Sequence, residues 1–292
     1  MPHVLFAGLT TIDIQYFVDQ FPGPNQKIKS ASPTILVGGP AANAAAGFAF
    51  LSGDATLLTA IGTNPFRKTI LDDFGSLKIE AIDFIENKKQ EAVLATVVTS
   101  ANGDRAIVTH HPEDHDLQSI DFIDLLDQID PAIIMVDGFY PSMTLALCRE
   151  AKRRGITVVF DGGSWKTHLD GLIPYLDIVI CSADFMPPGC SSHIEVFDFF
   201  EARGIKKIAI SRGEEPILFC EGSGIKEVSI ERRRIVDSLG AGDFLHGAFC
   251  YYWQKGYDFE ASLRAASEFA SATCSYKGTR ICFSELTQSE FV

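Results

Sequence analysis

Two repeats of apolar and polar positions alternate along the chain. From about Ala132 onward, short β-branched runs (AIIMVDG, ITVVFDGG, DIVICS, KKIAIS) are separated by stretches with apolar residues three and four apart (SMTLALCREAKRRG, EVFDFFEARG). A continuous apolar run of about four to eight residues reads as a strand buried on both faces, and the longer repeat reads as an amphipathic helix. Strands that recur with a helix between them imply right-handed crossovers and a parallel sheet covered by helices on both sides. The N-terminal part carries the same alternation in HVLFAG, AANAAAGFAFLS, ATLLTAIG and PFRKTILDDFG. The pattern predicts an α/β core running through the whole chain.

Two segments break the rhythm. Residues 12–36 and 91–111 read as antiparallel strands, the second pair turning at Asn102-Gly103-Asp104, a strong hairpin signal. Together they are expected to form a small sheet standing off the core as a lid. Linker-like tracts rich in Pro, Gly or Ser are absent, so residues 1–292 are expected to make one domain.

Composition narrows the partners. Lys and Arg number 25 against 38 Asp and Glu, a net charge of −13, and such a surface repels a phosphate backbone. The basic run Arg232-Arg233-Arg234 reads as a solvated strand end, so nucleic acid is not an expected partner. The seven cysteines include no C-x-x-C pair and sit mostly in apolar runs, which predicts reduced thiols and a cytoplasmic protein. No segment reaches the roughly 18 uninterrupted apolar residues of a membrane span, and MPHVLFAGLT lacks the pattern of a signal peptide. The cluster His110-His111-Pro112-Glu113-Asp114-His115 reads as a polar loop, because no further ligand stands at a fixed spacing.

Candidate chemistry begins at Asp237-Ser238-Leu239-Gly240-Ala241-Gly242-Asp243. The segment before it reads as extended and DFLHGAFCYYWQKG has helical spacing, with Gly256 as its stop. Gly240, Ala241 and Gly242 are small enough for backbone N–H groups to converge on one anion, and the helix dipole adds attraction. Next to such an anion hole, the Asp243 carboxylate can take the proton of an attacking hydroxyl. Taken alone, the motif is equally a closely packed helix start with an acidic N-terminal partner. It is neither a G-x-G-x-x-G fingerprint nor a phosphate-binding loop ending in Gly-Lys-Ser/Thr.

A second motif decides between these readings. GGPAANAAAGFAFLSGDATLLTAIG, from Gly38 to Gly62, places Asn43, Ala45 and Ser52 at fixed spacing after a Gly-Gly turn. With DSLGAGD downstream and GLTTIDIQ near the N-terminus, the chain resembles the ribokinase-like (PfkB) family of carbohydrate kinases over nearly its whole length. The resemblance implies a ribokinase-like three-layer α/β/α core with a small β-sheet lid, and transfer of the ATP γ-phosphoryl group to a hydroxymethyl group of a small sugar. It implies that Asp243 is the base and that the backbone of Gly240, Ala241 and Gly242 holds the phosphoryl group. Asp13, Gly39 and Asn43 correspond to sugar-binding positions. Ser211 and Gly213 correspond to a loop along ATP, and Gly278 to the adenine side. Lys166 follows a strand end and either reaches a phosphate or is a solvated loop lysine. Asp237 corresponds to a residue that shapes a monovalent-cation (K+) loop in some members, a structural role being the alternative. A homodimer through the lid strands is a further implication.

One departure from the family pattern stands out. Many members carry N-x-x-E after the strand matching DIVIC, where it organises Mg2+ and phosphates. This chain has Ser182-Ala183-Asp184-Phe185. Ser182 can still donate a hydrogen bond and Asp184 can orient metal-bound water, with Mg2+ held mainly by ATP. Phe139 and Tyr140, at a strand end where relatives place a substrate-side residue, argue against an anionic group there, since their stretch holds no Arg or Lys. The alternatives to a sugar kinase are a nucleoside kinase of the same fold and a catalytically weak sugar- or nucleotide-binding sensor.

Overall fold

The computed structural model describes residues 3–30, 32–101, 105–110, 120–222 and 224–292. In chain order the strands are β1 (His3–Ala7), β2 (Thr11–Val18), β3 (Thr34–Gly38), β4 (Ala55–Thr59), β5 (Ile79–Asp83), β6 (Leu94–Ser100), β7 (Arg105–Thr109), β8 (Pro131–Val136), β9 (Thr157–Gly162), β10 (Ile178–Ser182), β11 (Lys207–Arg212), β12 (Glu215–Glu221) and β13 (Ile225–Val228). The helices are α1 (Pro40–Ser52), α2 (Arg67–Ser76), α3 (Phe122–Ile129), α4 (Pro141–Arg154), α5 (His193–Glu201), α6 (Ala241–Gln254), α7 (Phe259–Thr273) and α8 (Cys282–Glu285).

Nine strands form one sheet in the order β13-β12-β11-β10-β9-β8-β1-β4-β5. Pairing is parallel from β5 to β11, and only β12 and β13 add on in antiparallel fashion at one edge. Because side chains alternate across a strand, the β1 residues Val4 and Phe6 enter one apolar cluster while Leu5 and Ala7 enter the other. The first cluster lies under α1, α6 and α7 with Phe48, Phe244, Phe249 and Phe269, and the second lies under α4 and α5 with Met143, Leu147, Phe197 and Phe200. The sheet is thus buried on both faces, which is why its strands read as unbroken apolar runs.

The two segments that interrupt the rhythm supply a separate four-stranded sheet in the order β3-β2-β6-β7. Its outer pairs are antiparallel, as the sequence predicts, whereas β2 and β6 join in parallel. The turn expected at Asn102-Gly103-Asp104 and the His111–His115 part of the histidine cluster lie outside the described residues; His110 is exposed after β7. The segment before Asp237, read as extended, joins no sheet: β13 ends at Val228, and Arg232, Arg233 and Arg234 are exposed, as expected, but do not form a strand end. All seven cysteines are free, and among the described residues no helix is long and apolar enough to cross a membrane.

Close contact between α1 and α6 brings the two motifs together. A methyl group at Gly247 on α6 would lie 2.1 Å from the Ala44 carbonyl oxygen on α1, so the helices approach closer than any side chain allows. Gly247→Ala should therefore lower stability by about 3 kcal/mol and the melting temperature by roughly 10 °C. A thermal melt within a degree of the wild type would show that this contact can relax.

Candidate active site

The ends of β10 and β11, at Ser182 and Ser211, line one cleft with Ala241 and Gly242 of α6, and α1 joins α6 there through Asn43 and Asp243, at the carboxyl ends of the parallel strands where open α/β sheets bind ligands. Two glycines make the turns. Gly39, before α1, has φ 98° and Gly240, before α6, has φ 75°, both in the region that favours glycine. A side chain at Gly39 would also meet the Leu9 carbonyl oxygen at 2.4 Å.

Asp243 lies in the first turn of α6, and the Asn43 Nδ2 group on α1 donates to its Oδ2 at 2.8 Å. It keeps partial exposure, yet enclosure by the protein pushes its pKa up to about 7, with the Asp161 charge adding to the rise and the Asn43 hydrogen bond opposing it. Gly242 is exposed and its Cα faces open space, so the first turn of α6 is bare toward the cleft. The turn is pinned from behind by His246, whose ring nitrogens face the Gly242 carbonyl at 2.7 Å and the Ile180 carbonyl at 3.0 Å. Asp161, at the end of β9, lies 3.6 Å from the same ring, and burial raises its pKa.

Asp13 on β2 is buried and accepts a 2.6 Å hydrogen bond from the Thr11 hydroxyl. Burial raises its pKa, while that bond and the nearby Arg280 charge oppose the rise. Its electrostatic influence reaches Asp243, so the predicted sugar-side carboxylate and the predicted base share one neighbourhood.

Beside them opens a cleft of about 340 Å³ lined by Ser182, Ala183, Asp184, Ser211, Gly213, Ser238, Ala241 and Gly242, with Arg105 reaching in from β7. Four of the residues assigned to ATP and Mg2+ from the sequence (Ser182, Asp184, Ser211 and Gly213) therefore share one wall with the anion-hole residues. The Ser182 hydroxyl donates to the Gly163 carbonyl at 2.6 Å, and Phe185, where the family's Glu would stand, is buried against Phe160, Trp165 and Phe200.

Three assigned residues lie apart from this lining. Lys166 places its ammonium 4.5 Å over the Phe139 ring, within reach of the Asp137 and Asp161 charges, and burial lowers its pKa. The aromatic spot, whose own stretch holds no Arg or Lys, thus receives a cation from the loop after β9. Gly278 packs against Leu36 and Gln15 under the small sheet, and its N–H donates to Asp237 Oδ2 at 2.9 Å. Asp237 is buried and also accepts from the Gln15 side-chain amide at 2.7 Å and the Leu239 N–H at 3.0 Å. Two of these bonds fall on Oδ2 and one on Oδ1, so the carboxylate ties Gln15, Leu239 and Gly278 together and keeps a lone pair on Oδ1.

Sequence reasoning missed several residues. Thr11 could have been found, because a residue two before Asp13 on a strand shares its face. Asp137, which accepts from the N–H groups of Leu9, Ala41 and Phe139 and so ties the ends of β1 and β8 to α1, had only its strand-end position as a signal. Arg280, Gln15 and Arg105 carry no spacing rule that connects them to the motifs.

Known proteins extend the comparison. The chain matches the pfkB family carbohydrate kinases over residues 1–286. It is 24% identical to a ribokinase of Staphylococcus aureus, covering 87% of each chain, and 22% identical to a deoxyribokinase of Salmonella typhi, covering 98% of this chain and 96% of that one. The Arabidopsis thaliana ribokinase solved with ribose and ATP shares the fold with a TM-score of 0.78 at 20% identity, over 95% of this chain and 94% of that one. A match along nearly the whole sequence, over a site that gathers both signature motifs, makes this chain a member of the pfkB family of carbohydrate kinases.

Proposed function

We propose that the protein transfers the γ-phosphoryl group of ATP to a hydroxymethyl group of a small sugar, with Asp243 as general base. The observation that carries this reading is the Asp243 carboxylate, held by Asn43 in the first turn of α6, at the edge of a cleft lined by Ala241 and Gly242. A hydroxyl arriving there gives its proton to Asp243 as its oxygen attacks phosphorus, and ADP leaves with the bridging oxygen. The bare first turn of α6, at the positive end of the helix dipole, faces the charge on the transferring group. Asp13 accepts hydrogen bonds from the sugar, and Asn43, next to Asp243, lies beside the hydroxyl that reacts. ATP lies along Ser182, Ser211 and Gly213, with Arg105 above it.

Mg2+ favours one or two carboxylates beside substrate phosphates, and Asp184 on the cleft wall fits that arrangement. The ion would neutralise charge on the phosphates as they are transferred. Asp237 serves the structural alternative, joining Gln15, Leu239 and Gly278, and its Oδ1 is the oxygen that a monovalent cation would use. The small sheet acts as a lid, and its exposed edge strand β7 suits strand addition by a second copy in a homodimer. Free thiols throughout fit a reducing, cytoplasmic setting.

The reading is tested by ADP release across a panel of pentoses, hexoses and nucleosides at saturating Mg·ATP. At least one sugar should give turnover of about 1 s⁻¹ or more, a usual rate for kinases. Turnover confined to nucleosides would move the assignment to that class, and tight sugar binding with no turnover would identify a sensor.

A further inference from the structure

We propose that Arg280 is a positioning residue for this reaction, one that holds the side-chain oxygen of Asn43 so that the Asn43 amide nitrogen faces Asp243. The proposal rests on Asp243 being the base. Arg280 lies just before α8, far in sequence from every motif that points to the site. Its Nη1 donates to Asn43 Oδ1 at 2.9 Å, and Asn43 Nδ2 in turn donates to Asp243 Oδ2 at 2.8 Å. On its other side, Arg280 Nε contacts both oxygens of Asp73 on α2, at 3.2 and 3.0 Å. One polar line therefore runs from α2 through Arg280 and α1 to the first turn of α6.

The two ends of an asparagine amide have nearly the same shape and opposite hydrogen-bonding roles, so its partners decide which end points where. A carboxylate next to Asn43 needs the NH2 end, and a guanidinium, which only donates, holds the oxygen end. Without Arg280 the Asn43 oxygen loses its donor, and the amide is held from the Asp243 side alone, free to tilt out of line with the carboxylate.

The orientation of the guanidinium supports the same view. An arginine placed only to pair with Asp73 would lay two parallel N–H groups on its two oxygens. Here Nε alone serves Asp73, Nη1 is given to Asn43 and the Thr279 carbonyl, and Nη2 is buried with no partner among the described residues. The fork is turned toward Asn43 at the expense of the fuller ion pair. The Arg280 charge also opposes the rise in the Asp13 pKa. The charged and titratable groups that act on Asp243 are Asp161, His246 and Asp13, and Arg280 reaches it through Asn43.

The test compares Arg280→Lys and Arg280→Met with Asp243→Asn, using the best substrate of the sugar panel. Lysine keeps the charge beside Asp73 but lacks the planar fork that serves Asp73 and Asn43 together. Arg280→Lys should keep its melting temperature within a few degrees and its KM for ATP within about twofold, while kcat falls roughly 10- to 100-fold, the loss of one oriented hydrogen bond to a charged group. The acid limb of its kcat/KM profile should move to higher pH, because the Asn43 bond that holds the Asp243 pKa down is weakened. Arg280→Met should show the same kinetic changes together with a lower melting temperature. Wild-type kcat and pH profile in Arg280→Lys, with Asp243→Asn inactive, would overturn the role of Arg280 alone; full activity in Asp243→Asn would overturn the base beneath it. A loss of kcat in both Arg280 variants that tracks their melting temperatures, with the pH profile unmoved, would reduce Arg280 to a stabilising residue.

Discussion

Asp243→Asn should lower kcat by roughly 10²–10⁴ while ATP binding survives, because asparagine keeps the shape of the site and cannot accept the hydroxyl proton. The wild-type pH profile should carry the signature of the same group. Asp243 must be ionised to act, and its pKa stands at about 7, so kcat/KM for the sugar should fall about tenfold per pH unit below 7 and level off above it. Stability should respond with the opposite sign. A carboxyl whose folded pKa is raised contributes stability that is fully present below its unfolded pKa and lost as the pH rises through the folded value. Near pH 8 the wild type therefore bears an ionised, enclosed carboxylate, and Asp243→Asn should melt a few degrees higher even as it loses activity, the trade-off expected where a site carries a destabilising functional group. Near-normal turnover in folded Asp243→Asn would remove Asp243 from the mechanism.

Asp13→Ala should raise the KM for sugar by roughly 10²-fold, the loss of one or two hydrogen bonds from sugar hydroxyls to a charged acceptor. Asp13 is buried on β2, with one oxygen held by Thr11, so it enters the site as a fixed acceptor with little freedom to lose on binding. The thermal shift produced by ATP alone should persist in this variant, because Asp13 is not among the residues lining the cleft proposed for ATP. Loss of the ATP shift with retention of sugar affinity would place Asp13 in the wrong half of the site.

How much of this was legible in the sequence follows from how locally each feature is specified. The parallel core was readable because β1, β8, β9 and β10 are buried on both faces and so appear as unbroken apolar runs between helical repeats. The edge strand β13 was not read, since it mixes exposed polar residues such as Glu227 with the buried Val228 and shows no apolar run, whereas β12 carries the run Pro216 to Cys220 and was simply missed. Gly240 and Asp243 were readable as a helix start with an acidic partner, while the reading of Asp243 as base and of Asn43 as a sugar-side residue came from the resemblance of the two motifs to the family. Arg280 was not, because its partners Asn43 and Asp73 are reached only by tertiary contact, and no local pattern marks a lone arginine after Gly-Thr. Gln15 and Lys166 were obscured in the same way: a glutamine on a strand reads as a solvent-facing residue until the fold carries Asp237 beneath it, and a loop lysine acquires a role only when Phe139 arrives under its ammonium.

The central claim is phosphoryl transfer to a sugar hydroxymethyl group with Asp243 as the base, and the most direct test is the product itself. The sugar with the highest ADP release is incubated with Mg·ATP and the position of the new phosphate is read by phosphorus and proton NMR, for the wild type and for Asp243→Asn. The account predicts one phosphate monoester on the CH2OH oxygen for each ADP formed by the wild type, and almost none with Asp243→Asn. ADP matched by free inorganic phosphate, or an equal yield of sugar phosphate from the variant, would contradict it.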